Sequence, residues 1–178
     1  MPRSFELTCA PALARALAGE SQPQAGLRQL DAALARDLGH RLFTVLALDW
    51  GRGLSVRHYS SAPLAYPPGG AKPIVPGGEF HARVIEAGEP RFCADADAIR
   101  AAFPDHELIL SLGCESAVNV PVRWNGRTLG SLNLLHEAGW YGEDMLPVLR
   151  VYGAMAVPLL QQIHLDRSHD HTTTGETP

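Results

Sequence analysis

"VNVPVRWNGRTLGSLNLLH" (Val118–His136) decides the fold. Runs of valine and leucine flank Asn125-Gly126, a pair that tolerates the positive φ angles of a tight type I′ turn, so the stretch predicts an antiparallel hairpin. Yet each strand carries an amide among its apolar residues, Asn119 and Asn133. With a two-residue turn and regular strands, Val118 faces Asn133 and Asn119 faces Leu132, which separates the amides. One bulged residue pairs Asn119 with Asn133 on a single face instead. An unpaired buried amide costs about 1–3 kcal/mol. Register therefore distinguishes one polar patch, fit for a ligand, from two amides satisfied by neighbouring backbone.

Working outward, the segment after this hairpin predicts a long helix from about Gly142 to Leu165, with Met145, Leu149, Tyr152, Ala156, Leu159 and Ile163 at alternating spacings of four and three. Pro158 inside it removes a hydrogen bond and bends it. Trp140 and Tyr141, just before, are expected to cap the core beneath that helix. Near the other end, Leu27, Leu30, Leu34 and Leu38 form the stripe of a second amphipathic helix stopped by Gly39. "RLFTVLALD" and "LSVRHYSS" around a glycine-containing turn predict another hairpin. The stretch Ala62–Gly78 holds five prolines and four glycines in 17 residues, which excludes regular helix and any central strand and predicts a lid-like loop. A short helix ("EFHARVIEAG"), a short strand ("PRFCAD") and further short helices interrupted by Pro104 lead back to the central hairpin.

The 178 residues suit one core of ordinary size, and 46% hydrophobic with 19% charged residues are proportions of a globular chain. We expect an N-terminal extension over 1–23 with a possible short helix, a domain over 24–165, and a disordered tail over 166–178. The fold class expected is α+β: a central antiparallel sheet of five to six strands, the N- and C-terminal helices on one face, and loops and short helices roofing a pocket on the other. A net charge of −4 with scattered basic residues speaks against nucleic acid as a partner. No apolar run is long enough to cross a membrane, and the N-terminal stretch lacks the clean apolar core of a signal peptide, so a cytoplasmic location is expected. Cys9, Cys93 and Cys114 are too few and too widely spaced for a disulfide framework or a zinc site.

From Glu115 to Leu160 the sequence resembles the GAF domain family: Ser116, Val120-Pro121-Val122, the Gly126 turn, Leu129-Gly130 opening the return strand, Tyr141, and Glu143-Asp144 opening the last helix. "GGEFHARVIEAGEPRFCAD" is similar to the family's middle segment, and the resemblance spans about Leu27 to Gln162. It implies a pocket for a small organic ligand and a homodimer paired through the first and last helices. The expected function is that of a sensor or accessory domain, passing its signal through dimer geometry or a protein partner. Candidate ligand-binding residues are Phe80, His81, Cys114, Ser116, Asn119 and Asn133. His81 could point into the pocket, serve as a haem ligand or stand on the surface.

The family also contains stand-alone reductases of free methionine-R-sulfoxide, whose chemistry needs one attacking thiolate and one resolving thiol. Cys93 and Cys114 are the candidates for those roles under this alternative. The reductases' acidic substrate cage, however, falls on Ala117, Asn133 and Leu135 here. A structural interaction domain without ligand is the third reading. There is no Gly-x-Ser-x-Gly elbow, P-loop or His-Glu-x-x-His motif, and no metal site is expected.

Overall fold

Strands β5 (Ser116–Trp124) and β6 (Arg127–His136) form the expected hairpin, with Asn125 at φ 48° and Gly126 at φ 74° in its turn. Its register resolves the alternative posed by the sequence. Arg123 pairs with Thr128, but Val122 pairs with Gly130, so Leu129 is a bulge and Asn119 stands directly opposite Asn133. The computed structural model describes residues 6–173, and its sheet has six antiparallel strands in the order β3-β2-β1-β6-β5-β4. The others are β1 (Leu42–Asp49), β2 (Leu54–Ser60), β3 (Ala71–Pro73) and β4 (Arg91–Cys93). The proline-rich loop thus contributes only β3, a three-residue edge strand, where proline's missing N–H does no harm.

A second bulge lies in β2, where Val45 pairs with Tyr59 and Leu46 with Arg57, leaving His58 unpaired between them. Alternation alone would put Arg57 and Tyr59 on one face. The bulge parts them: Tyr59 packs beside Phe43 at a ring distance of 5.8 Å, and Arg57 turns to the other side.

One face of the sheet carries α1 (Ala10–Leu17), α2 (Gln24–Asp37), α5 (Leu146–Met155) and α6 (Val157–Thr173). Phe43, Val45, Val118, Val120, Leu132 and Leu134 of the strands meet Leu30 and Leu34 of α2 and Leu149 and Tyr152 of α5 in one continuous core. The contact is close: a Cβ on Gly130 would lie 2.0 Å from the Leu46 carbonyl oxygen and 2.4 Å from Leu160. Both helical stripes are buried within the single chain, Leu27 to Leu38 and Met145 to Ile163 alike. The expectation that a second copy would bury them therefore finds no exposed stripe to rest on.

Two further differences concern the C-terminal segment. The expected single helix is broken at Ala156, because Pro158 has no N–H and its ring crowds the carbonyl four residues earlier. Helix α6 then continues to Thr173, past the expected end at Leu165. His164 is held by the Leu129 carbonyl at 3.0 Å, and Arg167 pairs with Asp49. The part of the expected disordered tail over 166–173 is thus helical, while 174–178 lies outside the described residues.

At the N-terminal side, Asp37 accepts hydrogen bonds from Thr8 Oγ1, the Cys9 amide and the Tyr152 hydroxyl, tying the start of the chain to α2 and α5. Trp140 Nε1 and the Tyr141 hydroxyl each donate to carbonyls at the end of α2, those of Leu38 and Gly39, both at 2.9 Å. These two aromatics pack as core and clasp, as the sequence suggests. The opposite face of the sheet is covered by the Ala62–Gly78 loop, a π-helical turn (His81–Glu86), and the short helices α3 (Ala96–Ala102) and α4 (His106–Ser111).

Candidate functional site

Across the middle of this second face, beneath the loops and short helices, runs a row of polar side chains contributed by four adjacent strands. Thr44 pairs with Asn133, Asn133 with Asn119, and Asn119 with Arg91, so the four lie side by side from β1 to β4. Their hydrogen bonds run in the same order. Arg91 Nε donates to Asn119 Oδ1 (2.9 Å), Asn119 Nδ2 to Asn133 Oδ1 (2.7 Å), and Asn133 Nδ2 to Thr44 Oγ1 (3.3 Å). Ser131 Oγ adds a bond to Asn133 Oδ1 at 3.0 Å. Four polar residues in a sheet interior are costly unless satisfied, and this chain of donors and acceptors satisfies the amides while fixing the direction of the guanidinium at its end.

Above the row lies a cavity of about 340 Å³, within the range of small-molecule sites. Arg57, Lys72 and Arg91 supply positive charge to its wall, and Tyr66, Phe80 and Phe103 supply aromatic surface. Asp105 gathers one side of it, accepting from Lys72 Nζ and from the Tyr66 hydroxyl, both at 2.5 Å, with an Arg57 nitrogen 4.0 Å away. The Arg57 guanidinium lies 3.5 Å from the Tyr66 ring centre and donates to the Pro67 carbonyl at 2.7 Å. Burial pushes the Asp105 carboxyl upward, but the hydrogen bonds from Lys72 and Tyr66 outweigh it and hold the pKa below the usual aspartate value. Burial lowers the pKa of Arg91, opposed by Cys93 and Glu79, yet a guanidinium remains charged under any ordinary condition.

Three buried polar atoms of the lining residues make no hydrogen bond: Ser55 Oγ, Arg57 Nε and His81 Nδ1. The carboxylate of Glu86 is 3.5 Å from His81 Nδ1 and does not satisfy it.

Of the residues singled out from the sequence, Phe80, His81, Asn119 and Asn133 come together on this cavity. Cys114 and Ser116 do not line it. Ser116 Oγ donates to the Glu137 carbonyl at 2.6 Å. Cys114 is enclosed with Cys93 in a small apolar cluster with Leu42, Ile99, Ile109 and Leu135, of which Ile109 and Leu135 line the cavity and the cysteines do not. Burial raises both thiols, Cys114 to about 11, and Arg91 beside Cys93 and Arg41 beside Cys114 only partly oppose it. Neither is poised as the thiolate that a reductase needs.

Sequence reasoning missed Thr44, Ser55, Arg57, Lys72, Arg91 and Phe103 as lining residues. Arg91 had a signal: it sits two residues before Cys93 in a short strand, on the side opposite Phe92, which packs toward the helices. Arg57 had none, because only the bulge at His58 turns it into the cavity.

Among the described residues, no group of three or more His, Cys, Asp and Glu is placed to hold a metal ion, and no helix is long and apolar enough to cross a membrane. The family model for the GAF domain matches residues 29–157. Among solved structures, the GAF domain of a phosphoenolpyruvate-protein phosphotransferase from Acinetobacter superposes with a TM-score of 0.71 at 14% identity, covering 89% of this chain and 94% of that one. A GAF domain of a two-component sensor histidine kinase from Bacillus halodurans gives 0.63 at 11% identity, covering 78% and 93%. The free methionine-R-sulfoxide reductase of Neisseria meningitidis, in complex with its substrate, gives 0.63 at 21% identity, covering 90% and 96%. At these identities the likeness is one of fold. No curated protein matches the sequence.

Proposed function

Since this chain belongs to the GAF domain family, we propose that it is a small-molecule-binding sensor or accessory domain whose ligand occupies the cavity above the polar row. One observation carries the reading: Ser55 Oγ, Arg57 Nε and His81 Nδ1 are buried around that space without partners. Orphaned buried polar atoms cost about 1–3 kcal/mol each, and a ligand able to pair with them recovers that energy. The reductase alternative lacks support from the thiols, which are buried behind the lining with raised pKa values.

The apolar stripes of the first and last helices are engaged in the core of one chain, so a homodimer paired through those helices would rest on other residues, such as the exposed Val151 and Leu165. We therefore place the signal in the loops and short helices that roof the cavity, where ligand occupancy alters what a protein partner meets. Three free cysteines fit a reducing compartment, which is the cytoplasm in this reading.

Native mass spectrometry of the protein purified from its source, compared with the denatured chain, tests the proposal. We expect an added mass of a small organic molecule that is lost on denaturation. Filling the space with Ala102→Trp, at the cavity wall, should abolish the added mass while the chain stays folded. An unliganded native protein, together with a screen in which no small molecule raises the melting temperature, would sink the reading.

A further inference from the structure

We infer that the ligand is a compact monocarboxylate with an apolar body, its carboxylate bound by Arg91 and its body against Phe80 and Phe103; this rests on the small-molecule reading above. Arg91 is only 4% exposed, and the polar row holds its Nε on Asn119. That leaves the two terminal nitrogens of the fork for an anion. Two parallel bonds from a planar guanidinium are the geometry that suits a carboxylate.

Within the structure, the nearest anion to those nitrogens is Glu79 Oε2, 3.7 Å from one of them. This is beyond hydrogen-bond length, and the Glu79 side chain is 69% exposed. Glu79 is therefore a loose counter-ion at the rim, and it leaves both terminal nitrogens free to bond a ligand carboxylate while it remains nearby. The other two cations are already engaged, Lys72 by Asp105 at 2.5 Å, and Arg57 by the Tyr66 ring and the Pro67 carbonyl.

Charge balance points the same way. Arg57, Lys72 and Arg91 face the carboxylates Asp105 and Glu79, which leaves one positive charge in excess. A monoanion neutralises it, whereas a dianion leaves a desolvated negative charge without a partner. The rest of the ligand is defined by what it touches. The Arg91 guanidinium lies 5.3 Å from the Phe80 ring centre and 5.2 Å from that of Phe103, so a group bonded to it extends along two aromatic surfaces. Leu46, Ile74 and Leu135 continue the apolar wall. Ser55 Oγ and Arg57 Nε can accommodate one neutral polar substituent, such as a hydroxyl or a carbonyl oxygen.

Calorimetric titration of the full chain with benzoate, phenylacetate and 4-methylpentanoate, each beside its primary amide, tests the inference, with phenyl phosphate as the dianionic probe. At least one acid should bind about tenfold or more tightly than its own amide, and phenyl phosphate should bind more weakly than benzoate. Arg91→Gln should erase the difference between acid and amide. Glu79→Gln, on the exposed rim, should tighten acid binding severalfold and leave the amides unchanged, and it decides the matter even where Arg91→Gln fails to fold. Amides binding as well as acids would overturn the carboxylate assignment while leaving the small-molecule reading intact. Phenyl phosphate outbinding benzoate would overturn the monoanion. Failure of every probe against a protein that retains a ligand in native mass spectra also defeats the inference. Failure of every probe against an unliganded protein defeats both.

Discussion

The two faces of this sheet are built from the same strands and do opposite things. On the helical side, Phe43, Val45, Val118, Val120, Leu132 and Leu134 fill a continuous apolar core. On the other side, their immediate neighbours Thr44, Asn119 and Asn133 join Arg91 in a hydrogen-bonded row under a cavity. Side-chain alternation separates stability from recognition by a single residue position. The separation holds only because two bulges, at His58 and Leu129, keep each strand in step with its neighbours. The contrast teaches that a polar residue within an apolar strand is read correctly only after its register is known.

The contrast breaks most visibly at Phe43. It is fully buried on the helical side, and Phe43→Ala should lower the unfolding free energy by about 3–5 kcal/mol, from lost transfer energy and the cavity left behind. Denaturant unfolding measures that loss. Affinity of the folded protein for a carboxylate probe should stay within a factor of two, and a parallel loss of binding would show that the two faces are not independent.

A smaller stability effect with a larger effect on binding is expected on the opposite side. Asn133→Leu removes the acceptor of Asn119 Nδ2 and Ser131 Oγ and the donor to Thr44, at a cost of about 1–3 kcal/mol. Asn119 then no longer holds Arg91 in place, and binding of a carboxylate probe should weaken by about tenfold. If Asn133→Leu lowers stability while leaving probe affinity intact, the polar row is only a structural device.

How much of this was legible in the sequence differs between the faces for a physical reason. The helical side announced itself through periodicity: the leucines from Leu27 to Leu38 and the stripe from Met145 to Ile163 need only regular helices to share a side. Asn119 and Asn133 were also visible, as amides in apolar strands, but their pairing depended on a bulge that no local residue type announces. Arg57 was hidden by the same effect, and Lys72 by lying in a loop whose prolines and glycines obscure a short edge strand. Phe103 and Asp105, in the connection between α3 and α4, reach the site through tertiary packing alone. The cysteines looked chemical because they flank the roof, yet they are enclosed in an apolar cluster.

The smallest predicted effect concerns His58, the bulge residue that turns Arg57 toward the cavity. Its Nε2 is buried without a hydrogen bond, and burial, then the charge of nearby His164, lowers its pKa below the usual histidine value. For a base with a depressed folded-state pKa, the unfolded chain takes up the proton first as pH falls. Stability is then complete above the ordinary histidine pKa near 6.5, declines as pH drops through it, and levels off below the folded value. His136 is lowered in the same sense, by burial and the charges of Arg41 and His40, and adds to the slope. Melting temperatures should therefore fall between pH 7.5 and 5.5, and His58→Leu should flatten part of that fall while His136 keeps the rest. An unchanged slope in His58→Leu would mean that the imidazole is already solvated in the native state. A flattened slope would place the pH-sensitive point of the sheet at the bulge that keeps its two faces distinct.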